Sequence, residues 1–425
     1  MKYVLASDGS RGDVEPFVAV GRELLRRGHE VRVAVPPNLI GFVESAGLAA
    51  VGYGLDTQRL METRRNMARL SRNPRKIRDL IRLSREAWEF RTQCWREISA
   101  TLTSLADKAD LLFTGRVFED AAANVAEYYD IPFATMHYLP ARPNGQLLPY
   151  LPGPLARSAM TVKGWLARRP TKKLEEAQRR ELGLPKATGP TPRRIAKRGS
   201  LEIQAYDEVC FPGLAAEWAK WSSQRPFVGP LTMELATDAD DEVAAWIAAG
   251  TPPIFFGFGS MPVDSPADTL AMISRACEQL GERALVCAGW SDFDRVLHFE
   301  HVKVVGTVNH AAIFPTCRAV VHHGGAGTTA AGLRAGVPTL ILWWAGDQLH
   351  WAAAVKRLKV GVARRFSATT RESLVADLRR ILAPQYVTRA REIATHTTKP
   401  AESVAATADL VEDFVRLRRV GYRCR

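Results

Sequence analysis

The run Ala319-Val320-Val321-His322-His323-Gly324-Gly325-Ala326-Gly327-Thr328-Thr329 holds the residues best suited to chemistry: two histidines, three glycines and two threonines behind a short branched stretch. The branched stretch predicts a buried strand, and the small residues after the glycines predict a helix. Glycines allow close approach to the backbone, and the free amides and dipole of a helix start attract phosphate. A neighbouring imidazole, His323, adds a donor, and the hydroxyl of Thr328 or Thr329 adds another. The chemistry that fits is the holding of a diphosphate by fixed donors, which stabilise it as it leaves. The alternative is a tight turn whose glycines serve packing alone. Neither this run nor Gly9-Ser10-Arg11-Gly12 has the G-x-G-x-x-G spacing of a dinucleotide site, which argues against a nicotinamide oxidoreductase.

Such a turn needs a parallel sheet to present it. Lys2 to Ala6 reads as a strand, followed by a helix from Pro16 to Arg27 with Phe17, Val20 and Leu24 on one face, stopped by Gly28, and then a strand from Glu30 to Val35. Leu111 to Thr114 and Phe133 to His137 read as further strands of that sheet. An acidic helix within Thr237 to Gly250 opens a second β-α-β series, with strands at Ala284 to Ala288, Val302 to Val305, Ala319 to His322 and Thr339 to Trp343. The expected fold class is α/β, with two doubly wound domains, joined near Arg225-Pro226-Phe227-Val228-Gly229-Pro230, that face each other across a cleft at the carboxyl ends of their strands.

The bulk numbers agree. A chain of 425 residues, 46% hydrophobic and 24% charged, suits a globular protein with two cores. No apolar stretch reaches the roughly 18 residues of a membrane span, and the N-terminus turns polar after one strand, so the expected location is the cytoplasm. Six cysteines, at 94, 210, 277, 287, 317 and 424, have no metal-ligand spacing and read as reduced and structural. The net charge of +13 suits an anionic ligand, nucleic acid or an anionic membrane surface.

Gly257-Phe258-Gly259-Ser260, Val308-Asn309-His310, the histidine-glycine turn, and Ala335-Gly336-Val337-Pro338 followed by Asp347-Gln348 together resemble family 1 glycosyltransferases of the GT-B fold. The resemblance extends to members acting on glycopeptide antibiotics, macrolides and sterols, and especially to mycobacterial enzymes that glycosylate envelope lipids. It is strongest over residues 250–365 and 1–50 and weak over 55–200. It implies an acceptor domain over 1–230, a nucleotide-sugar domain over 231–400, and a C-terminal helix within 401–425 that packs back on the first domain.

Residue by residue, the resemblance implies that Ser260, His323, Gly325, Gly327 and Thr328 cradle the donor diphosphate, and that Val308 offers backbone groups to the nucleobase. Trp290 corresponds to a tryptophan near the base, although its loop could equally anchor on the core. Asp347 and Gln348 correspond to the pair that grips the sugar hydroxyls; the following Leu349 departs from the proline common in relatives. Asp13 corresponds to the general base, a carboxylate that takes the acceptor's proton while the oxygen attacks opposite the diphosphate, which gives inversion. Asp13 is also suited to capping the helix that follows it. His137, at a strand end, is a candidate for touching the acceptor or a satisfied core histidine. No metal and no further cofactor are implied beyond the nucleotide-sugar co-substrate.

Two basic, aromatic stretches remain, Arg59 to Arg96 and Arg157 to Lys173, the first with Asn73-Pro74 as a helix start and the second around Trp165-Leu166. They suit either a solvated helix face or peripheral contact with an anionic bilayer from which a lipid acceptor enters. Nucleic acid is not an expected partner, because no recognition module accompanies the charge. The expected reaction is transfer of a hexose or a 6-deoxyhexose such as rhamnose from a UDP- or dTDP-sugar to a hydrophobic acceptor, an envelope glycolipid. The rivals are a nucleotide-sugar epimerase of the same fold and a non-catalytic nucleotide-sugar-binding protein.

Overall fold

The structure, a computed structural model, describes residues 1–57, 77–148, 150–261, 263–290 and 299–420. Residues 59–76 of the basic stretch from Arg59 to Arg96, with the Asn73-Pro74 helix start, and Cys424 lie outside the described residues.

Two parallel six-stranded sheets carry the chain. The first contains β1 (Lys2–Ala6), β2 (Glu30–Val35), β3 (Ala49–Gly52), β4 (Leu111–Gly115), β5 (Phe133–His137) and β6 (Leu201–Gln204), in the order β3-β2-β1-β4-β5-β6. The second contains β7 (Ile254–Gly257), β8 (Ala284–Cys287), β9 (Val302–Val305), β10 (Ala319–His322), β11 (Thr339–Trp343) and β12 (Gly361–Arg365), in the order β12-β11-β10-β7-β8-β9. Each sheet starts in its middle and winds to one edge, then resumes in the middle and winds to the other. The winding therefore reverses between β1 and β4 and again between β7 and β10, and a crevice opens at the carboxyl ends there. The α/β doubly wound expectation holds for both sheets.

Central strands are buried on both faces, as in β4 and β5, which is why they read as mostly apolar runs. Of the strands absent from the sequence reading, β3, β6 and β12 are edges of their sheets. They carry glycine or charge, as in Leu201-Glu202-Ile203-Gln204 and Gly361-Val362-Ala363-Arg364-Arg365, and so lack the apolar signal. The first helix also differs from expectation. It spans Arg11–Arg26 instead of starting at Pro16, which lies inside it. Ser10 stands at its cap and its amide donates to the Asp13 carboxylate, so the helix is closed before the proline is reached. The proline removes one interior donor without ending it.

Cores flank each sheet, and one apolar cluster is shared between the halves: Tyr206, Phe211 and Trp218 pack with Ile341, Trp351 and Val355. Phe211 meets Trp351 edge-on, with centroids 5.6 Å apart. The connecting segment is held from both sides, by Glu15 accepting from the Met233 amide at 3.0 Å and by Arg334 donating to the Thr232 hydroxyl at 2.5 Å. The helix Pro400–Arg419 packs on the first half through Val411, Phe414 and Val415. Arg27 bonds Asp409 at 2.6 Å there, and His29 meets Glu412 at 2.7 Å.

Candidate active site

The register pairs Gly257 of β7 with His322 of β10, so the turns after both strands leave the sheet side by side at its reversal point. His322 is buried, and its Nδ1 accepts from the Gly324 amide at 3.0 Å, which folds the chain back on itself. The His323 ring then fills a slot between two glycines. A Cβ on Gly259 would stand 2.7 Å from its Cε1, and a Cβ on Gly325 would stand 2.6 Å from its Nε2. Gly259 also has φ +56, a left-handed conformation that favours glycine. Burial lowers the His323 pKa to about 4, so at neutral pH the ring is an uncharged donor and acceptor.

Gly325 caps the helix Ala326–Arg334 without any side-chain hydrogen bond, leaving first-turn amides for a ligand. The structure separates the two threonines. Thr329 is buried and donates to the Gly325 carbonyl at 2.8 Å, whereas Thr328 is half-buried at the helix mouth. Ser260 is half-buried in the turn after β7. Ser260, His323, Gly325, Gly327 and Thr328 thus belong to the two adjacent turns at the β7 and β10 ends.

The Trp290 amide donates to the Gly259 carbonyl at 3.1 Å, and a Cβ on the preceding Gly289 would come within 2.2 Å of that same oxygen. Trp290 is therefore docked by its backbone on the turn after β7, against which the His323 ring lies, with its side chain half-buried. Val308 is 4% exposed, its side chain packed with Cys287, Val305 and Phe314. Its backbone lies between Thr307, which accepts from Thr237, and Asn309, whose amide donates to Asp240.

Beyond β11, Asp347 occupies the cap position of the helix Gln348–Leu358. The Gln348 side-chain oxygen accepts from the amides of Trp344, at 2.7 Å, and Ala345, at 3.2 Å. Its oxygen thus holds the loop, and its amide nitrogen is the group left to donate. The walls around Asp347 push its carboxyl above the ordinary value, and Arg116, just after β4 on the opposite half, pulls it down. Burial lowers the His350 pKa, and Lys163 and Arg116 lower it further.

On the first half, Asp13 lies in the opening turn of its helix, and its Oδ2 accepts from the Ser10 amide and hydroxyl. Its carbonyl accepts from Ser7 Oγ and from Tyr138 Oη, each at 2.8 Å. Asp13 after β1 and the histidine-glycine turn after β10 thus occupy the reversal points of their two sheets. Arg11 contributes a positive field at His310 and Cys287 of the second half while pairing with Glu15 at 3.8 Å. Arg11 and Arg116 were missed in the sequence; the signal was a cation in the segment that follows a central strand at a reversal point.

The acceptor role expected for His137 is corrected. The ring is 1% exposed, with Nε2 3.3 Å from Thr135 Oγ1 and 3.7 Å from Glu119 Oε1. It belongs to an internal charge cluster in which Arg142 bonds Glu119 at 2.6 Å and Glu202 at 2.5 Å, and Arg225 bonds Glu202 at 2.6 Å. Burial pushes the Glu119 carboxyl up, but Arg142 and His137 outweigh it and hold the pKa at about 2. Ligand atoms of Glu119, His137 and Glu202 lie within 4.8 Å of one another, a spacing open to a metal. The guanidinium of Arg142 already bridges the two carboxylates, so their charge is compensated without one.

The same fold occurs in known proteins. Residues 3–102 match the glycosyltransferase family 28 N-terminal domain, and residues 295–412 match the erythromycin biosynthesis protein CIII-like C-terminal domain. An uncharacterized glycosyltransferase of Mycobacterium tuberculosis is 63% identical over 99% of this chain and 100% of its own length. A sterol 3-beta-glucosyltransferase of Arabidopsis thaliana is 28% identical over 96% of this chain and 67% of its own. The crystal structure of the glycosyltransferase VinC in complex with dTDP has the same fold, with a TM-score of 0.64 at 19% identity over 98% of this chain and 100% of that one. With its two reversal-point turns and these relatives, the chain belongs to the family 1-like glycosyltransferases of the GT-B fold and is a nucleotide-sugar-dependent transferase.

Proposed function

We propose that this chain is an inverting, metal-independent transferase that moves a hexose or 6-deoxyhexose, such as rhamnose, from a UDP- or dTDP-sugar to a hydroxyl of a hydrophobic acceptor, an envelope glycolipid. The observation that carries the reading is the uncapped start of helix Ala326–Arg334, with the neutral His323 ring slotted between Gly259 and Gly325. Fixed donors at such a start stabilise a diphosphate as it acquires charge.

In this reading Asp13 accepts the proton of the acceptor hydroxyl, and the oxygen attacks the anomeric carbon from the face opposite the diphosphate. The bond from that carbon to the diphosphate oxygen breaks, and its electron pair stays on the diphosphate, against the helix amides, His323 and Thr328. One displacement from one face inverts the anomeric centre. Asp347 and the Gln348 amide orient the sugar, and Val308 and Trp290 border the base. The acceptor lies on residues 1–230 and the donor on 231–400. The dTDP bound by VinC supports a dTDP donor, and the sterol acceptor of the Arabidopsis relative supports an apolar one.

The test is incubation of the full chain with radiolabelled UDP- and dTDP-sugars and envelope lipid extract. Label moving into lipid, with opposite anomeric configuration and at a rate unchanged by EDTA, is the expected result. Recovery of epimerised nucleotide sugar with unlabelled lipid would sink the reading in favour of an epimerase.

A further inference from the structure

The helix Gly153–Arg168 stands at the sugar end of the cleft. Its inward side carries the buried Ala156 and also Met160, which packs on the apolar cluster shared by the two halves. Lys163 lies close enough to His350 to act on its charge, so the helix borders the first turn of Gln348–Leu358. Along the outward side, Leu155, Val162 and Leu166 recur at helical spacing and are 58%, 55% and 50% exposed. Trp165 flanks them at 56% exposed, and Tyr150 and Leu151 precede them at the surface. Single exposed apolar residues are ordinary, but a continuous stripe of this kind marks a contact surface.

Charge specifies the partner. From Tyr150 to Lys173 the chain has six cations and no acidic residue. Glu217 engages Arg157, Glu175 engages Arg168 and the exposed Glu176 lies 3.8 Å from Lys172, whereas Lys163, Arg169 and Lys173 have no carboxylate partner among the described residues. The Arg169 guanidinium lies 3.7 Å from the Trp165 ring centroid, an aromatic and cation pair suited to the headgroup level of a bilayer. A second copy of the chain is a poor occupant, because two such faces would bring like charges together.

We propose that the Leu155, Val162 and Leu166 stripe docks the protein on an anionic bilayer surface, so that a lipid acceptor enters the cleft beside Asp347 directly from the membrane. The proposal rests on the apolar-acceptor reading above. No described helix is long and apolar enough to cross a membrane. The attachment proposed is peripheral: the stripe reaches the acyl boundary, and Arg169, Lys172 and Lys173 meet anionic headgroups.

The test is co-sedimentation of the full chain with vesicles of phosphatidylcholine alone or with about one third phosphatidylglycerol. Binding is expected to the anionic vesicles only, and to weaken with salt. The variant Leu155→Ser, Val162→Ser, Leu166→Ser and the variant Arg169→Gln, Lys172→Gln, Lys173→Gln should each lose about tenfold or more in partition. Both should keep the wild-type affinity for UDP or dTDP, which also establishes that they fold. Equal partition of wild type and both variants overturns the proposal. So does a wild-type dimer in light scattering that the serine variant abolishes, which would assign the stripe to a second copy. Vesicle binding without nucleotide binding would instead contradict the transferase reading and leave the docking surface standing.

Discussion

Asp13 Oδ2 accepts hydrogen bonds from both the amide and the hydroxyl of Ser10, at 2.8 and 3.0 Å. The carboxylate proposed as the base is thus also the group that closes its own helix, and a Cβ on Gly9 would strike it at 2.3 Å. The two roles separate by substitution. Asp13→Asn keeps an oxygen for Ser10 but cannot take a proton at neutral pH, so transfer should fall about 10²- to 10⁴-fold with little change in melting temperature. Ser10→Ala should cost about 1 kcal/mol of stability and less than about tenfold in rate. Initial rates and thermal melts of the two variants decide between them; an Asp13→Asn enzyme of wild-type rate would make Asp13 a cap alone.

Gly325→Ala introduces a Cβ 2.6 Å from His323 Nε2, a contact that must displace the ring. The expected result is at least about a tenfold loss of nucleotide affinity in calorimetry, because the ring is proposed as a fixed donor to the diphosphate. Far-ultraviolet circular dichroism should be unchanged, since φ at Gly325 is −63° and open to any residue. Wild-type affinity in this variant would mean that His323 does not face the ligand.

Buried histidines give the stability a pH dependence of definite sign. Burial lowers the pKa of His310 and of His323 from 6.5 to about 4 and carries His322 well below its ordinary value. Between those values the unfolded chain binds protons that the folded chain refuses, so stability falls as pH drops from about 6.5 towards 4. Denaturant midpoints measured over that window should fall less steeply for His310→Asn than for the wild type. Equal slopes would show that His310 is not held neutral.

Arg142→Met leaves Glu119 and Glu202 buried without the guanidinium that bridges them. Breaking a buried ion cluster this way costs about 3–5 kcal/mol. Urea unfolding measures it, and a loss under about 1 kcal/mol would show that the cluster is compensated by other means.

The turns and the sheet were legible where local chemistry and topology agree. The glycines at 324, 325 and 327 stand out because so many small residues between a strand and a helix open the backbone to a ligand, and the central strands because burial on both faces favours apolar residues. Edge strands such as Leu201–Gln204 were not legible, since Glu202 is buried there only by virtue of Arg142 and Arg225, residues distant in sequence. His137 was misread for the same reason: a strand-end histidine looks alike whether it faces a cleft or an ion cluster. The start of helix Arg11–Arg26 was placed late because Pro16 reads as a first-turn residue until Ser10 and Asp13 are seen to close the turn ahead of it. The division of labour between Thr328 and Thr329 depends on helical phase, which a composition of two adjacent threonines does not reveal.

The central claim is that the turn from His322 to Thr329 holds the donor's diphosphate. Calorimetric titration of UDP and dTDP into the wild type and the double variant His323→Ala, Thr328→Ala tests it most directly. The account predicts a loss of at least about a hundredfold in affinity, as two fixed donors to a charged group are removed; affinity equal to that of the wild type for both nucleotides would contradict it.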